Sequence, residues 1–496
     1  MKICKNHKVT VKKSRLKIIT VCIILISVSA GTVLSFSYIS NGLKRAFMSS
    51  ESYFKHIIRQ NLNDEADRIS FFISNVKENI ILKNKTEEKS LIISTEEEFS
   101  HIIGDFDFYK DIKWLKNIKL DTKFTENDGL VQGSAKLYVN EKHITSLNCT
   151  TDDSFTYVSM PPVNEKILIA DLNNSPLKTE KMLSAIPDEK TLSVIIKRYV
   201  NTVLENIEEV RGNNTAVRIN GLTEKCHKLS AKLDGETLKE ILEILKNDRD
   251  IQSALKNYSE SFSTAPEFEK IFDSYTYMLD KYIQKTEENN VYIEIYVNSK
   301  GELIGLGFLD ENYAIETLYI EKRETYGIRL TMQKVGGKRY TLEGGGAVDE
   351  KTASGKFSLS METAEIFNIN LQSADKDKLN RGVFEGKLSI ALSDNIKPLL
   401  TGSLNLSSDN IYLEIISHSG NDDSDFKISL YNNDKLCLSA NLLTKSTQKE
   451  DIGIFSEEDM KNSVEFSEWV KGFDLVTLTE KLREAEVPLS YLLMFK

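Results

Sequence analysis

Val291-Tyr292-Ile293-Glu294-Ile295-Tyr296-Val297-Asn298 is followed by Ser299-Lys300-Gly301. Its period of two places Val291, Ile293, Ile295 and Val297 on one face of a strand, and Asn298 to Gly301 supplies the residues of a tight turn. The stretch therefore predicts one arm of a hairpin. Similar punctuation returns at Gly336-Gly337, Asp375 to Lys378, Asp394-Asn395 and Asn432-Asn433. No proline lies between Pro266 and Pro398, as uninterrupted ladders require. Residues 287–444 thus predict an antiparallel meander, folded as one large curved sheet or an incomplete barrel.

Upstream, residues 111–286 mix strand and helix signals. Ile118/Leu120, Ala135/Leu137/Val139, Phe155/Tyr157 and Ile167-Leu168-Ile169 read as a first strand group ending near Pro176. After Pro187-Asp188, apolar residues recur at helical spacing from Leu192 to Val210, and Ile196, Tyr199, Val200 and Val203 are expected near the centre of a core. A strand around 216–233 is followed by helices at Glu236–Lys246 and around Phe268–Ile283. Helices preceding strands point to an α+β fold, with amphipathic helices packed on antiparallel sheet. Residues 445–496 predict a helical tail, with Leu475, Leu478 and Leu482 at helical spacing and an apolar end from Leu489 to Phe495.

The amino-terminal region carries the topology. Residues 1–17 hold seven basic residues and no acid, although the chain of 496 residues sums to −10. Residues 18–39 contain no charge and would span about 33 Å as a helix, enough to cross a hydrocarbon core. With the basic head at 1–17, the positive-inside rule predicts a single-pass protein with its N-terminus cytoplasmic and its body in the extracytoplasmic space. Val28-Ser29-Ala30 offers the alternative of a cleaved signal peptide, but the apolar run continues through Val33, Leu34, Phe36 and Ile39. Residues 40–110 then read as a helical stalk and linker, with Phe47, Phe54, Ile58, Ile69, Phe72 and Val76 near helical spacing and a polar closing stretch at 83–89.

Composition excludes several classes. An acidic body repels phosphate backbones, so no nucleic-acid partner is expected. Hydrophobic residues at 40% and charged residues at 28% exclude wholesale disorder. Cys149, Cys226 and Cys437 fall in strand-like runs at long intervals and read as buried small side chains, with at most one bridge possible. No HExxH, GxSxG or Walker A pattern occurs. Cys226 and His227 are adjacent on a strand and face opposite ways, which rules them out as nucleophile and base. Ser74-Asn75-Val76-Lys77 fits S-x-x-K without the other motifs of that chemistry. Gly344-Gly345-Gly346 lies inside a strand pattern, where a bulge or bend is expected and no helix N-terminus waits for phosphate. Asp422, Asp423 and Asp425 read as a solvated turn, with calcium as the alternative. No catalytic, cofactor-binding or metal residue is nominated, and no cofactor is expected.

The basic head, the single span, Ser52-Tyr53-Phe54-Lys55, the Ile195–Ile207 helix, the Leu229–Leu233 strand leading to Gly235-Glu236-Thr237-Leu238, and the Asn-Ser-Lys-Gly-like hairpins form one layout. This layout resembles that of single-span extracytoplasmic proteins of low-GC Gram-positive bacteria. The resemblance implies a location in the cell envelope and no activity. The function expected is non-enzymatic binding of an apolar ligand or an envelope protein. A structural or sensor ectodomain working through protein contacts and a hydrolase without a sequence signature are the alternatives.

Overall fold

The computed structural model describes residues 48–80, 85–97, 99, 114–127, 130–152, 154–171, 188–260, 271–284, 290–380, 383–395, 410–420, 422–448, 450 and 452–488. The expected span at 18–39, the basic head and Leu489–Phe495 lie outside the described residues. Among the described residues no helix is long and apolar enough to cross a membrane.

Among the described residues α1 (Ser50–Ile80) comes first, then β1 (Lys85–Thr95), β2 (Asn117–Asn127), β3 (Leu130–Val139), β4 (Lys142–Thr151), β5 (Phe155–Met160) and β6 (Asn164–Asp171). Next come α2 (Glu189–Glu205), β7 (Glu209–Ile219), β8 (Leu222–Leu233), α3 (Gly235–Lys246), α4 (Arg249–Glu260) and α5 (Ile271–Ile283). The meander follows as β9 (Val291–Asn298), β10 (Leu303–Leu309), β11 (Tyr313–Lys322), β12 (Thr325–Lys334), β13 (Arg339–Val348), β14 (Thr352–Met361) and β15 (Ala364–Asp375). A short α6 (Lys376–Asn380) leads to β16 (Gly386–Leu392), β17 (Ile411–Ser419), β18 (Asp423–Asn432) and β19 (Lys435–Gln448). The chain then forms α7 (Glu457–Lys461), α8 (Phe466–Val470) and α9 (Leu475–Glu484).

The nineteen strands of the described residues belong to one open sheet. Sequence neighbours pair antiparallel from β2 to β6 and from β7 to β19, and β1 joins the two runs by pairing with both β2 and β19. The sheet therefore ends at β6 and β7, two strands consecutive in the chain. Counting alternations through β1 shows that β6 and β7 run in the same direction. A hairpin cannot join strands of that polarity, and α2 lies in the connection between them. Two-residue hairpin loops at Asn140-Glu141 and Asn433-Asp434 hold φ of 47° and 65°, and of 50° and 63°, the positive values that type I′ turns need.

β1 occupies a stretch that the sequence reads as stalk and linker. Four of its eleven residues are charged, and its strand character depends on Leu91, Ile92 and Ile93 finding partners in β2, the next strand, and in β19, near the far end of the chain. The helix expected to reach Val210 ends at Glu205. Asn206 caps it, with its Nδ2 donating to the Thr202 carbonyl at 2.8 Å, and Val210 starts β7 instead. Asp188 caps the other end by accepting from the Thr191 N–H at 2.9 Å. Ile195 and Leu204 are the buried apolar residues of α2, while Val200 and Val203 pack at the margin of the core.

That core joins Tyr53, Phe54 and Ile57 of α1, Leu204 and Ile207, and Ile241 of α3 to Leu229, Ala231, Leu233, Ile295 and Val297 of the sheet. On the opposite face of the same strands, Val217, Ile219, Cys226, Tyr296, Leu318 and Ile320 form a second cluster, and Arg329 donates to the Arg218 carbonyl. At the other end of the sheet, α8 is tied to β6 by Trp469 Nε1 donating to the Lys166 carbonyl at 3.0 Å, and by Asn164 Nδ2 donating to the Trp469 carbonyl at 2.7 Å. α9 rests on β4, where Leu478, Leu482 and Ala485 meet Val139 and Ile144.

Candidate functional site: the aliphatic face of the meander

Residues paired across antiparallel strands share a face, so the register assigns each side chain to one side of the sheet. Starting from Tyr326, one row crosses Gly346, Gly355, Leu371, Leu388, Ile415, Ile428, Ala440, Ile93, Ile118 and Val139. It contains no polar side chain apart from the tyrosine hydroxyl, and it stops at Glu321 on one side and Lys142 on the other. A parallel row holds Ile328, Gly344, Phe357, Ile369, Ile390, Leu413, Leu430 and Leu438. A third holds Phe426, Leu442, Leu91, Leu120 and Leu137. The local cause is plain alternation, as in Ile411-Tyr412-Leu413-Glu414-Ile415.

Among the described residues, helices cover this face towards its two ends, at β7 to β9 and at β4, and the helical residue Phe99 packs with Leu392, Ile411, Leu430 and Cys437 at the margin of β16 to β19. Leu229 and Ile295 under the helices are fully buried, whereas Leu371, Ile390, Leu413, Ile428 and Leu442 are half-buried and Phe426 is exposed. Gly344 and Gly346 keep their row low: a Cβ on Gly346 would stand 1.9 Å from the Ser354 carbonyl oxygen, and one on Gly344 2.1 Å from that of Lys356. Tyr326 and Phe357 lie against these glycines with ring centroids 6.3 Å apart.

The other face of the same strands is polar and charge-paired. Arg329 Nε donates to Glu343 at 2.7 Å, Lys387 meets Glu414 at 2.6 Å, and Lys123 bridges Glu88 at 3.0 Å and Glu450 at 2.7 Å. The Arg329 hydrogen bond holds the Glu343 carboxyl below its ordinary range, and the Glu450 and Glu88 hydrogen bonds raise the Lys123 ammonium. A cleft of about 910 Å³ opens here, lined by Asp121, Lys123, Lys136, Tyr138, His418 and Asp425 among others. Several of its charges already have protein partners, including the bridging Lys123 and the Lys119–Asp121 pair at 2.8 Å. The half-buried aliphatic face, by contrast, offers apolar surface with almost no polar side chain to satisfy.

The residues singled out in the sequence are not brought together. Cys226 and His227 face opposite sides of β8, with Cys226 in the second cluster and His227 Nδ1 3.1 Å from Asn214 Oδ1. Ser74 lies on α1 and does not line the cleft. Gly344 to Gly346 sit in the middle of β13, in register on both sides. Asp422, Asp423 and Asp425 reach the rim of the polar cleft, and Asp425 is in register with His418. Among the described residues no group of three His, Cys, Asp or Glu side chains could hold a metal ion. Cys149, Cys226 and Cys437 are free thiols. Burial pushes the Tyr275 phenol up to about 12 and raises Tyr199, Tyr296 and Tyr319 further, so these hydroxyls stay protonated at neutral pH. The aliphatic rows were overlooked in the sequence because each strand reads alone as ordinary core; the register of all strands together is the signal.

No family model matches the chain, and no curated protein matches it. Among solved structures, the chain is matched to that of intact Ap-TbpB with its N and C lobes, at 11% identity over 75% of this chain and 78% of that chain. The TM-score of 0.11 is too low to support a shared fold.

Proposed function

We propose that this chain is a membrane-anchored, extracytoplasmic binding protein that takes an apolar ligand on the aliphatic face of its sheet without transforming it. The observation that carries the reading is the row from Tyr326 to Val139, apolar across eleven adjacent strands and half-buried over most of its length. A monomeric surface seldom leaves so large an apolar patch unless something binds there. The anchor at 18–39 and the basic head, with the resemblance to single-span envelope proteins of low-GC Gram-positive bacteria, support the location. The full chain, reconstituted in phosphatidylcholine nanodiscs, is expected to bind N-phenyl-1-naphthylamine saturably, above the signal of empty discs. Leu413→Lys should abolish that binding. A signal indistinguishable from empty discs, or one untouched by the substitution, would contradict the reading.

A second reading, a structural or sensor ectodomain acting through protein contacts, draws on β7. Among the described residues this eleven-residue terminal strand has a ladder only with β8, and Arg211, Gly212, Asn213 and Asn214 are exposed along it. Such an edge can accept a strand from another protein.

A further inference from the structure

We infer that the ligand of the aliphatic face is an amphiphile with an extended aliphatic chain and an anionic head, the chain lying across the strands and the head over Lys89. The inference rests on the apolar-binding reading and names its ligand class. The chemistry of the lining comes first. Between Leu371 and Ile118 the central row offers only Leu, Ile and Ala side chains. This row has no hydrogen-bond donor and no ring, and with Phe357 and Phe426 standing singly in the rows beside it, it suits polymethylene rather than a sugar.

The border of the face supplies the charge. One row beyond Leu442 and Leu91, the register brings Ser424, Thr444, Lys89 and Thr122 side by side. Lys89 pairs with Glu87 Oε2 at 2.8 Å, and Glu87 stands one row farther from the apolar rows. A head group sliding off the apolar rows therefore meets the ammonium and three hydroxyls before it meets the carboxylate. That order of charges favours a carboxylate or phosphate head over a cationic one.

Size argues against a second copy of the chain as the occupant. Ten strand spacings of about 4.8 Å give the longest row a length of about 48 Å, and three rows a width of about 14 Å; as the second and third rows are shorter, the face offers less than about 650 Å². A stable interface needs about 800 Å² from each partner. One leaflet of hydrocarbon is about 15 Å thick, so the row has length to spare for an extended acyl chain.

The test uses the full chain in phosphatidylcholine nanodiscs with two fluorescent probes, 11-(dansylamino)undecanoic acid and its neutral methyl ester. The acid should bind at least fivefold more tightly than the ester. Lys89→Gln, a change at a partly exposed border residue, should erase that preference by weakening the acid alone, whereas Leu91→Lys should remove both. Displacement of the acid by hexadecanoate but not by phosphatidylglycerol would identify a free fatty acid as the natural class, and displacement by phosphatidylglycerol a phospholipid. Equal affinity for acid and ester, or displacement by neither competitor, would overturn the anionic amphiphile while leaving apolar binding intact. Saturable binding of neither probe would remove the apolar-binding reading itself.

Discussion

The β7 to β9 end of the sheet and its β13 to β19 stretch are built from the same alternation and end in different states. In the first, α1, α2 and α3 seal Leu229, Ile295 and Val297 completely; in the second, Leu371, Ile390 and Leu413 occupy equivalent rows and stay half-buried. Alternation specifies which side chains share a face. It does not specify what covers that face, and the same pattern serves as core in one place and as open surface in the other.

This contrast sets the scale of the effects expected from mutation. Leu229→Ala should cost about 2–5 kcal/mol, because helices and sheet enclose the cavity it would leave; urea unfolding of the full chain measures it. Leu413→Ala, on the half-buried stretch, should cost about 1 kcal/mol, since its side chain is only partly removed from water. Equal losses at the two sites would erase the distinction between the regions. Gly345→Ala should fall between them, at about 1–3 kcal/mol, because its Cβ would stand 2.1 Å from the Tyr326 carbonyl oxygen and force β12 and β13 apart.

A titration separates the two faces. The Glu343 pKa is lowered in the folded state by Arg329, so its contribution to stability is present above the ordinary carboxylate range and is lost as pH falls through the lowered value. Glu343→Gln should therefore reduce the thermal midpoint at pH 7 slightly, and the difference from the parent chain should vanish in acid. A difference that persisted or grew in acid would show that the pair is not the cause. A local effect is expected of Asp234→Ala. This removes the cap that accepts from the Thr237 N–H at 2.9 Å, at about 1 kcal/mol, and should loosen α3 as read by hydrogen exchange while leaving the meander unchanged.

Much of this architecture is written locally. The turn at Asn298 to Gly301, the caps at Asp188 and Asp234, and the alternation from Val291 through Thr444 are legible because each depends on neighbours a few residues away. β1 was hidden for the opposite reason. Its partner β19 is the last described strand in chain order, Thr447 reaching Thr86 across 361 residues, and no local pattern announces a pairing of that range. α4 escaped notice because Arg249, Asp250, Gln252, Ser253, Lys256 and Asn257 interrupt its apolar positions. The candidate site was half visible: the aliphatic sides of individual strands can be read from the sequence, but their alignment into unbroken rows needs the registers, and their half-burial needs the fold.

The central claim is that the middle of the aliphatic face is open and is filled by ligand. Its most direct test is the maleimide labelling rate of Ile390→Cys in a chain whose native cysteines are replaced by serine, with Ile295→Cys as the buried reference. Ile390→Cys should label far faster than Ile295→Cys, and hexadecanoate should slow it at least fivefold. Labelling as slow as at residue 295, or a rate unchanged by hexadecanoate, would contradict the account.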